Sequence, residues 1–139
     1  MSGIDECLLE AMRLPGARGA ALVEWVSGLA LGVVGEAPGD DHEAMAAEAA
    51  EFARTAAELP VFSGPQEPAG PGTGTPDDDG RAPVEDVIVV ARGGYHLLRF
   101  LEAPYEGGVF LHLWLDRDQA NLALSLMRMR DLSERLVLD

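Results

Sequence analysis

Apolar residues are most concentrated between positions 84 and 115, where three β-rich runs are separated by paired glycines. The runs 87–92 and 95–102 flank Gly93-Gly94, a pair that supplies the backbone freedom of a tight hairpin, so we expect them to be adjacent strands. A third strand is expected at 109–115. Because the first and third runs are apolar at consecutive positions, we expect both faces of this antiparallel meander to be covered.

Upstream of the meander, the pattern predicts a helix followed by a hairpin. Apolar residues recur at helical spacing over residues 4–12, and Pro15-Gly16 ends this helix. Two β-rich runs at 19–25 and 29–34 predict the hairpin. Gly32, inside the second run, indicates that another backbone or a large side chain comes close there.

The next predicted helix is the central one, and it carries two adjacent apolar stripes. Asp40 and Glu43 resemble a capping box at its start, and it extends to about residue 59. The high helix propensity of alanine is one explanation for its composition. The other is a ridge of small side chains that lets a second helix approach closely, as in a symmetric dimer. The stripes consist of Met45, Ala49, Phe52 and Ala56, and of Ala46, Ala50, Ala53 and Ala57.

Two further segments complete the predicted organisation. Residues 60–83 are rich in glycine, proline and aspartate, which predicts a disordered insertion or a tethered interaction segment. After the meander, Asp116 and Gln119 predict the capped start of a last amphipathic helix, with Ser125 on its polar face. The element order α-β-β-α-β-β-β-α predicts a single α+β domain over residues 1–139, with helices on both faces of an antiparallel sheet.

The charge distribution restricts the class of partner. The formal net charge is −14, and 13 of the 24 acidic residues lie between positions 36 and 86 with only two arginines. Such a field repels phosphate backbones and anionic lipids, so we expect neither nucleic-acid nor membrane binding and favour a basic protein surface. The acidic start of the chain does not resemble a secretory signal, and a single cysteine fits a reducing compartment, so we predict a cytoplasmic protein.

Few residues offer catalytic or cofactor chemistry. The sequence has no Gly-x-Ser-x-Gly elbow, no phosphate loop and no His-Glu-x-x-His pair, so we predict no catalytic residues, no cofactor and no enzymatic activity. His96 and His112 could lie on neighbouring strands. This leaves a two-ligand metal site as an alternative to ordinary polar residues on a covered sheet, although we predict no metal.

Several stretches, taken in order, resemble the Roadblock family of dynein light-chain-like proteins. The resemblance implies a five-stranded antiparallel sheet with the central helix on one face and the two terminal helices on the other. It also implies a homodimer that pairs third strands and packs central helices together, to which we assign Ala46, Ala50, Ala53, Ala57, Val87 and Val89. The matching stretches are Leu14-Pro-Gly-Ala-Arg-Gly-Ala-Ala-Leu-Val23, Ser27-Gly-Leu-Ala30, the helix at 43–59, and residues 87–101 and 109–126.

Bacterial and archaeal members of that family accompany Ras-like GTPases. The resemblance therefore implies a non-enzymatic regulator or scaffold that binds a small GTPase, with GTPase activation as one role it could have. We assign partner binding to Glu48, Glu51 and Glu58 on the polar side of the central helix. Two alternatives stay open. One is a homodimeric scaffold without a GTPase, and the other is a ligand-sensing domain with a pocket near Tyr95, Phe100 and Trp114.

Overall fold

The computed structural model describes residues 3–63, 84–101 and 108–136, which form three layers around one antiparallel sheet. The order of the strands across the sheet is β2-β1-β5-β4-β3. The strands are β1 Ala17–Glu24, β2 Leu29–Gly35, β3 Asp86–Ala91, β4 Gly94–Phe100 and β5 Val109–Leu115. The helices are α1 Ile4–Ala11, α2 His42–Glu58, the single turn α3 Pro60–Ser63 and α4 Leu122–Arg135, with a short 3-10 turn at Pro38–Asp40.

The predicted fold class is confirmed. Strand β5 lies in the middle of the sheet and is buried at every position, because helices cover both of its faces. Its alternate residues Leu111, Leu113 and Leu115 pack with α1 and α4, whereas Phe110 packs with α2. Its apolar character at consecutive positions therefore has the expected cause.

The two faces of the sheet are packed differently. On the α1 and α4 side, large aliphatic side chains from both layers interdigitate. On the α2 side, the sheet supplies the bulk and the helix supplies alanines, so that the helix axis lies close to the strands. The α2-side cluster consists of Ala21, Val23, Leu98, Phe100 and Phe110 from the sheet with Ala46, Ala50, Ala53 and Ala57 from α2.

Glycines allow two close approaches. A Cβ on Gly32 would lie 2.7 Å from Ile4 Cγ2 and 3.1 Å from Leu8 Cδ1, so a large side chain does come close, as predicted. The β3–β4 turn is Arg92-Gly93, one residue earlier than expected. Gly94 is paired with Ala91 and has a φ of 139°.

The helix caps differ from the predictions by one or more residues. Asp40 has a left-handed φ of 58° and ends the 3-10 turn, so Asp41 is the N-cap of α2 and its carboxylate accepts from Ala44 N–H at 3.0 Å. Asp116 instead closes a turn by accepting from Asp118 N–H at 2.9 Å. Helix α4 consequently begins only after Asn121, whose side chain accepts from Leu124 N–H at 3.0 Å.

Two sequence-based predictions are revised, one for the tract 60–83 and one for Ser125. Residues 60–63 form the helical turn α3, whereas 64–83, the rest of the predicted disordered tract, lies outside the described residues. Ser125, expected on the wet side of the last helix, is fully buried. Its hydroxyl donates to the Asn121 carbonyl at 2.8 Å, which satisfies the buried polar group within the helix.

Strand β3 is an edge strand that is only partly covered. Ile88 and Val90 lie opposite Leu97 and Tyr95, on the face that carries α1 and α4, yet they are 41% and 59% exposed. The expectation of two covered faces is therefore wrong for β3 within one chain. Helices α1 and α2 pack mainly against β2 and β1, and α4 packs against β4, so Ile88 and Val90 at this edge are left partly uncovered.

Gly94→Ala is expected to destabilise the fold by about 2–4 kcal/mol, because the new Cβ would combine an unfavourable positive φ with a clash against the Leu115 carbonyl oxygen. Gly93→Ala is the matched control, since nothing lies within 4 Å of its Cβ position. Urea unfolding of both variants measures the difference. Equal midpoints for the two would contradict this account of the turn.

Candidate functional site

A groove lies between α2 and the β3–β4 side of the sheet. It encloses about 500 Å³, and its walls are mostly apolar. The α2 wall is the stripe of Met45, Ala49 and Phe52, which neighbours the buried alanines on the helix surface. The complete lining is Pro38, Gly39, Asp41, Ala44, Met45, Glu48, Ala49, Phe52, Val89, His96, Leu98 and His112.

Two histidines form the polar part of this groove. His96 on β4 and His112 on β5 occupy the same face of adjacent strands, and their Nδ1 and Nε2 atoms are 2.9 Å apart. His112 Nδ1 lies 3.0 Å from the thioether sulfur of Met45 on α2. The two rings and the sulfur thus form a chain of contacts from the sheet to the helix.

The chemistry of these atoms determines the tautomers. A thioether sulfur can only accept a hydrogen bond, so the proton of His112 is assigned to Nδ1, which donates to Met45. The Nε2 of His112 is then an acceptor, and His96 Nδ1–H donates to it. This assignment leaves the Nε2 lone pair of His96 as the polar group of the pair that is available to the groove.

Burial keeps both rings neutral. Desolvation, with a smaller contribution from the neighbouring His96, lowers the pKa of His112 from 6.5 to about 3. Desolvation also lowers the pKa of His96. The pair is therefore uncharged in a groove whose rim carries the carboxylates of Asp41 and Glu48.

An aromatic stack extends from His96 on β4 across β5 to Arg18 on β1, along the α2 face of the sheet. The His96 and Trp114 rings are almost parallel, with centroids 5.9 Å apart and an interplanar angle of 5°. The guanidinium carbon of Arg18 lies 3.8 Å from the Trp114 ring centroid, which is cation–π geometry. The stack fixes the orientation of His96.

The histidine pair does not provide an evident metal centre. The two nitrogens of His112 contact different partners, so His96, His112 and Met45 cannot all bind one ion in this arrangement. In the ranges that the structure describes, no three His, Cys, Asp or Glu side chains converge to hold a metal ion. The two histidines are nevertheless adjacent, as the sequence allowed.

The structure revises the role of the alanines assigned to the dimer interface. Ala46, Ala50, Ala53 and Ala57 are between 0% and 4% exposed because they dock α2 on its own sheet, which leaves them almost no surface for a second chain. Val87 and Val89 are partly buried on the same side of β3. Val89 lines the groove, and Val87 packs against the α2-side cluster.

The glutamates assigned to partner binding are all exposed, but they do not form one patch. Glu48 lies at the rim of the groove. Glu51 and Glu58 follow Ala47 by four and eleven residues, so they share its side of the helix. That side faces the β1–β2 hairpin, because Ala47 Cα is 3.6 Å from the Cβ position of Gly28.

The three aromatic residues of the predicted sensing pocket are not brought together. Tyr95 packs with the α1 and α4 side, whereas Phe100 belongs to the α2-side cluster. Trp114 lies on the α2 side beside His96. The sequence did not predict the groove that the structure shows instead. The expected position of two histidines on neighbouring strands was the one signal for it.

Comparison with solved structures relates this architecture to known domains. A Roadblock/LC7 domain from Streptomyces avermitilis matches with a TM-score of 0.66 at 20% identity, covering 96% of this chain and 93% of that one. Myxococcus xanthus MglB matches with a TM-score of 0.65 at 14% identity, covering 90% of this chain and 77% of that one.

A structure of MglB with a tetrameric arrangement gives a TM-score of 0.67 at 19% identity, covering 94% and 82%. The chain therefore has the Roadblock fold, as its sequence resemblance implied. No protein-family model and no curated sequence matches it. None of the helices in the described ranges is long and apolar enough to cross a membrane.

Acid is expected to reduce the stability of the wild-type protein more steeply than that of His112→Gln. The folded-state pKa of His112 is below its ordinary value of 6.5, so its neutral form contributes stability that is present above pH 6.5 and is lost as the pH falls towards 3. In this range the free energy of unfolding decreases by up to about 1.4 kcal/mol for each unit by which the pH falls.

Urea unfolding between pH 7 and pH 4 measures this slope, and the absolute stability of the variant does not matter for the comparison. Parallel profiles for wild type and His112→Gln would contradict the burial of a neutral ring.

Proposed function

We propose that the protein is a non-enzymatic, homodimeric regulator or scaffold that binds a Ras-like small GTPase. The observation that carries the proposal is the match of nearly the whole chain to bacterial structures with the Roadblock fold. The family that the sequence resembles accompanies such GTPases, and the acidic surface suits a basic partner. Identity of 20% or less establishes the fold alone, so the function requires a direct test.

The uncovered edge of β3 supports the dimer. Ile88 and Val90 are exposed there, and Phe52 of α2 is 46% exposed beside the groove. A free edge strand with apolar side chains readily pairs with another strand. Pairing β3 of two copies about a two-fold axis would cover these residues and place the two grooves and α2 stripes near each other.

Charges at the ends of β3 suit antiparallel pairing with itself. Glu85 precedes the strand and Arg92 follows it. In an antiparallel pair the beginning of one strand meets the end of the other, so opposite charges face each other twice. Asp86 is already paired with Arg99 of its own chain at 2.8 Å, which leaves Glu85 for this role.

Phe52→Glu is expected to weaken the dimer roughly tenfold or more while the protomer stays folded, because a carboxylate would replace an apolar contact at the proposed interface. Leu9→Glu is the matched control, since Leu9 is 57% exposed on α1, on the other face of the sheet. Ala53→Glu should instead unfold the protein, because Ala53 is fully buried in the protomer.

Sedimentation velocity across a concentration series distinguishes these outcomes. Wild type and Leu9→Glu should sediment with about twice the 14.8 kDa mass of one chain at micromolar concentration. A wild-type protein that stays monomeric as its concentration rises would remove the homodimer from the proposal.

The GTPase partner is tested by titrating a cognate Ras-like GTPase, loaded with GTP or with GDP, at low and moderate salt. We expect affinity to differ between the two nucleotide states, because only a differential contact can transmit regulation. Association should slow as salt rises. The paired substitutions Glu51→Lys and Glu58→Lys should weaken binding, whereas Glu6→Lys, exposed on α1, should not.

Equal binding in both nucleotide states would leave a scaffold without a regulatory role. If no small GTPase binds, the sensing alternative is favoured, and the groove containing His96 and His112 becomes the site to examine.

A further inference from the structure

The edge strand β2 presents apolar side chains at the opposite end of the sheet from β3. Val33 pairs with Ala21, a residue of the α2-side cluster, so Val33 lies on that face of the sheet. Leu31 has no partner on β1, because it lies at a bulge between Ala30, which pairs with Val23, and Gly32, which pairs with Leu22. Leu31 and Val33 are 45% and 40% exposed, and Leu29 at the start of the strand is 65% exposed.

The backbone edge of β2 is also free within the described part of the chain, because this strand pairs only with β1. The sequence of β2, Leu29-Ala-Leu-Gly-Val-Val-Gly35, contains neither proline nor a charged residue. Both kinds of residue are used by proteins to prevent an edge strand from pairing. A bulge opposite Leu22 and Val23 interrupts its first half and leaves the second half regular.

A stripe of carboxylates borders this apolar strip. Glu43, Glu51 and Glu58 lie on the same side of α2 as Ala47, because their positions differ from it by four, four and eleven residues. This side of the helix faces the β1–β2 hairpin. All three are exposed. Arg54 lies on the same side, so the stripe retains a net charge of −2.

We propose that β2 and the Ala47 side of α2 form a docking site for an extended, arginine-bearing segment of another protein. The segment would add to β2 as a sixth strand through main-chain hydrogen bonds. Its arginine side chains on the α2 side would lay their methylene stems over Val33 and direct their guanidinium groups to the carboxylate stripe. Apolar residues at the alternate positions would face α1.

Charge argues against the two occupants that the chain itself could supply. Residues 64–83 contain four carboxylates against Arg81 alone, and their only alkyl side chains besides proline are two alanines. A second copy of β2 would bring its own carboxylate stripe towards the first. Both would oppose like charges across the site, whereas a basic segment neutralises the stripe.

This inference rests on the proposed function only in assigning Glu51 and Glu58 to partner binding. It adds the strand that receives the partner and the form of the segment that binds. Because β2 and β3 are opposite edges of the sheet, a dimer formed at β3 would leave the β2 site open.

The test uses the full chain and the synthetic peptide Arg-Val-Arg-Val-Arg-Val-Arg. Fluorescence anisotropy measures its affinity, and hydrogen exchange of the backbone amides locates it. We expect protection at Leu29–Gly35 and no new protection at Asp86–Ala91. A Glu-Val peptide of the same length, and an Arg-Val peptide N-methylated at alternate residues, should each bind roughly tenfold weaker or less.

The N-methylated peptide keeps every charge, so it separates strand addition from nonspecific attraction to an acidic protein. Val33→Ser, and separately the pair Glu51→Lys and Glu58→Lys, should each weaken binding of the Arg-Val peptide roughly tenfold. Val90→Ser on the opposite edge is the matched control and should bind it as wild type does. Circular dichroism confirms that each variant is folded.

Equal binding of the N-methylated peptide, or protection that appears at β3 instead of β2, would overturn the inference. The outcome is separable from that of the GTPase titration. Peptide binding at β2 without GTPase binding keeps the docking site and removes the proposed partner. GTPase binding that leaves β2 unprotected and does not compete with the peptide keeps the partner and removes the site.

Discussion

Strand β5 is buried along its whole length because α1 and α4 cover one face of the sheet and α2 covers the other. Although α1 and α2 also pack against β2, the two outermost strands β2 and β3 both keep exposed apolar side chains. Among the residues that the structure describes, each of these strands has one backbone edge without a neighbouring strand. The interactions proposed for this protein take place at those edges and beside α2.

The small side chains of α2 are essential to the arrangement. Phe100 and Phe110 provide the volume on the sheet, and the facing helix positions are alanines, so the helix lies low against the strands. The neighbouring stripe of the helix, which includes Met45 and Phe52, then forms one wall of the groove. The neutral histidines of the groove, of which His112 is buried, are held by strand register and by Met45.

Much of this fold was predictable from local patterns. The bounds of β5, the length of α2 and the close approach at Gly32 all follow from periodicity and from glycine placement. The sheet order was not readable from local pattern, because it depends on which strands meet over long separations in the chain. As a result, the exposure of Ile88 and Val90 at an edge could not be foreseen from an apolar run that looked like a central strand.

The site was less predictable than the fold. The alanine stripe of α2 would fit equally well against a sheet or against a second helix. The bulk of the facing strand residues decides that Ala50 and Ala53 turn inward. Ser125 was misplaced for a related reason, since its hydroxyl is satisfied by its own helix and can be buried at little cost.

The central claim is that the two edges have different partners, a second copy at β3 and another protein at β2. Amide hydrogen exchange of the protein alone, followed from nanomolar to micromolar concentration, tests it most directly. The account predicts that amides of Asp86–Ala91 become protected as concentration rises, while those of Leu29–Gly35 exchange at an unchanged rate. Concentration-dependent protection at β2, or none at β3, would contradict it.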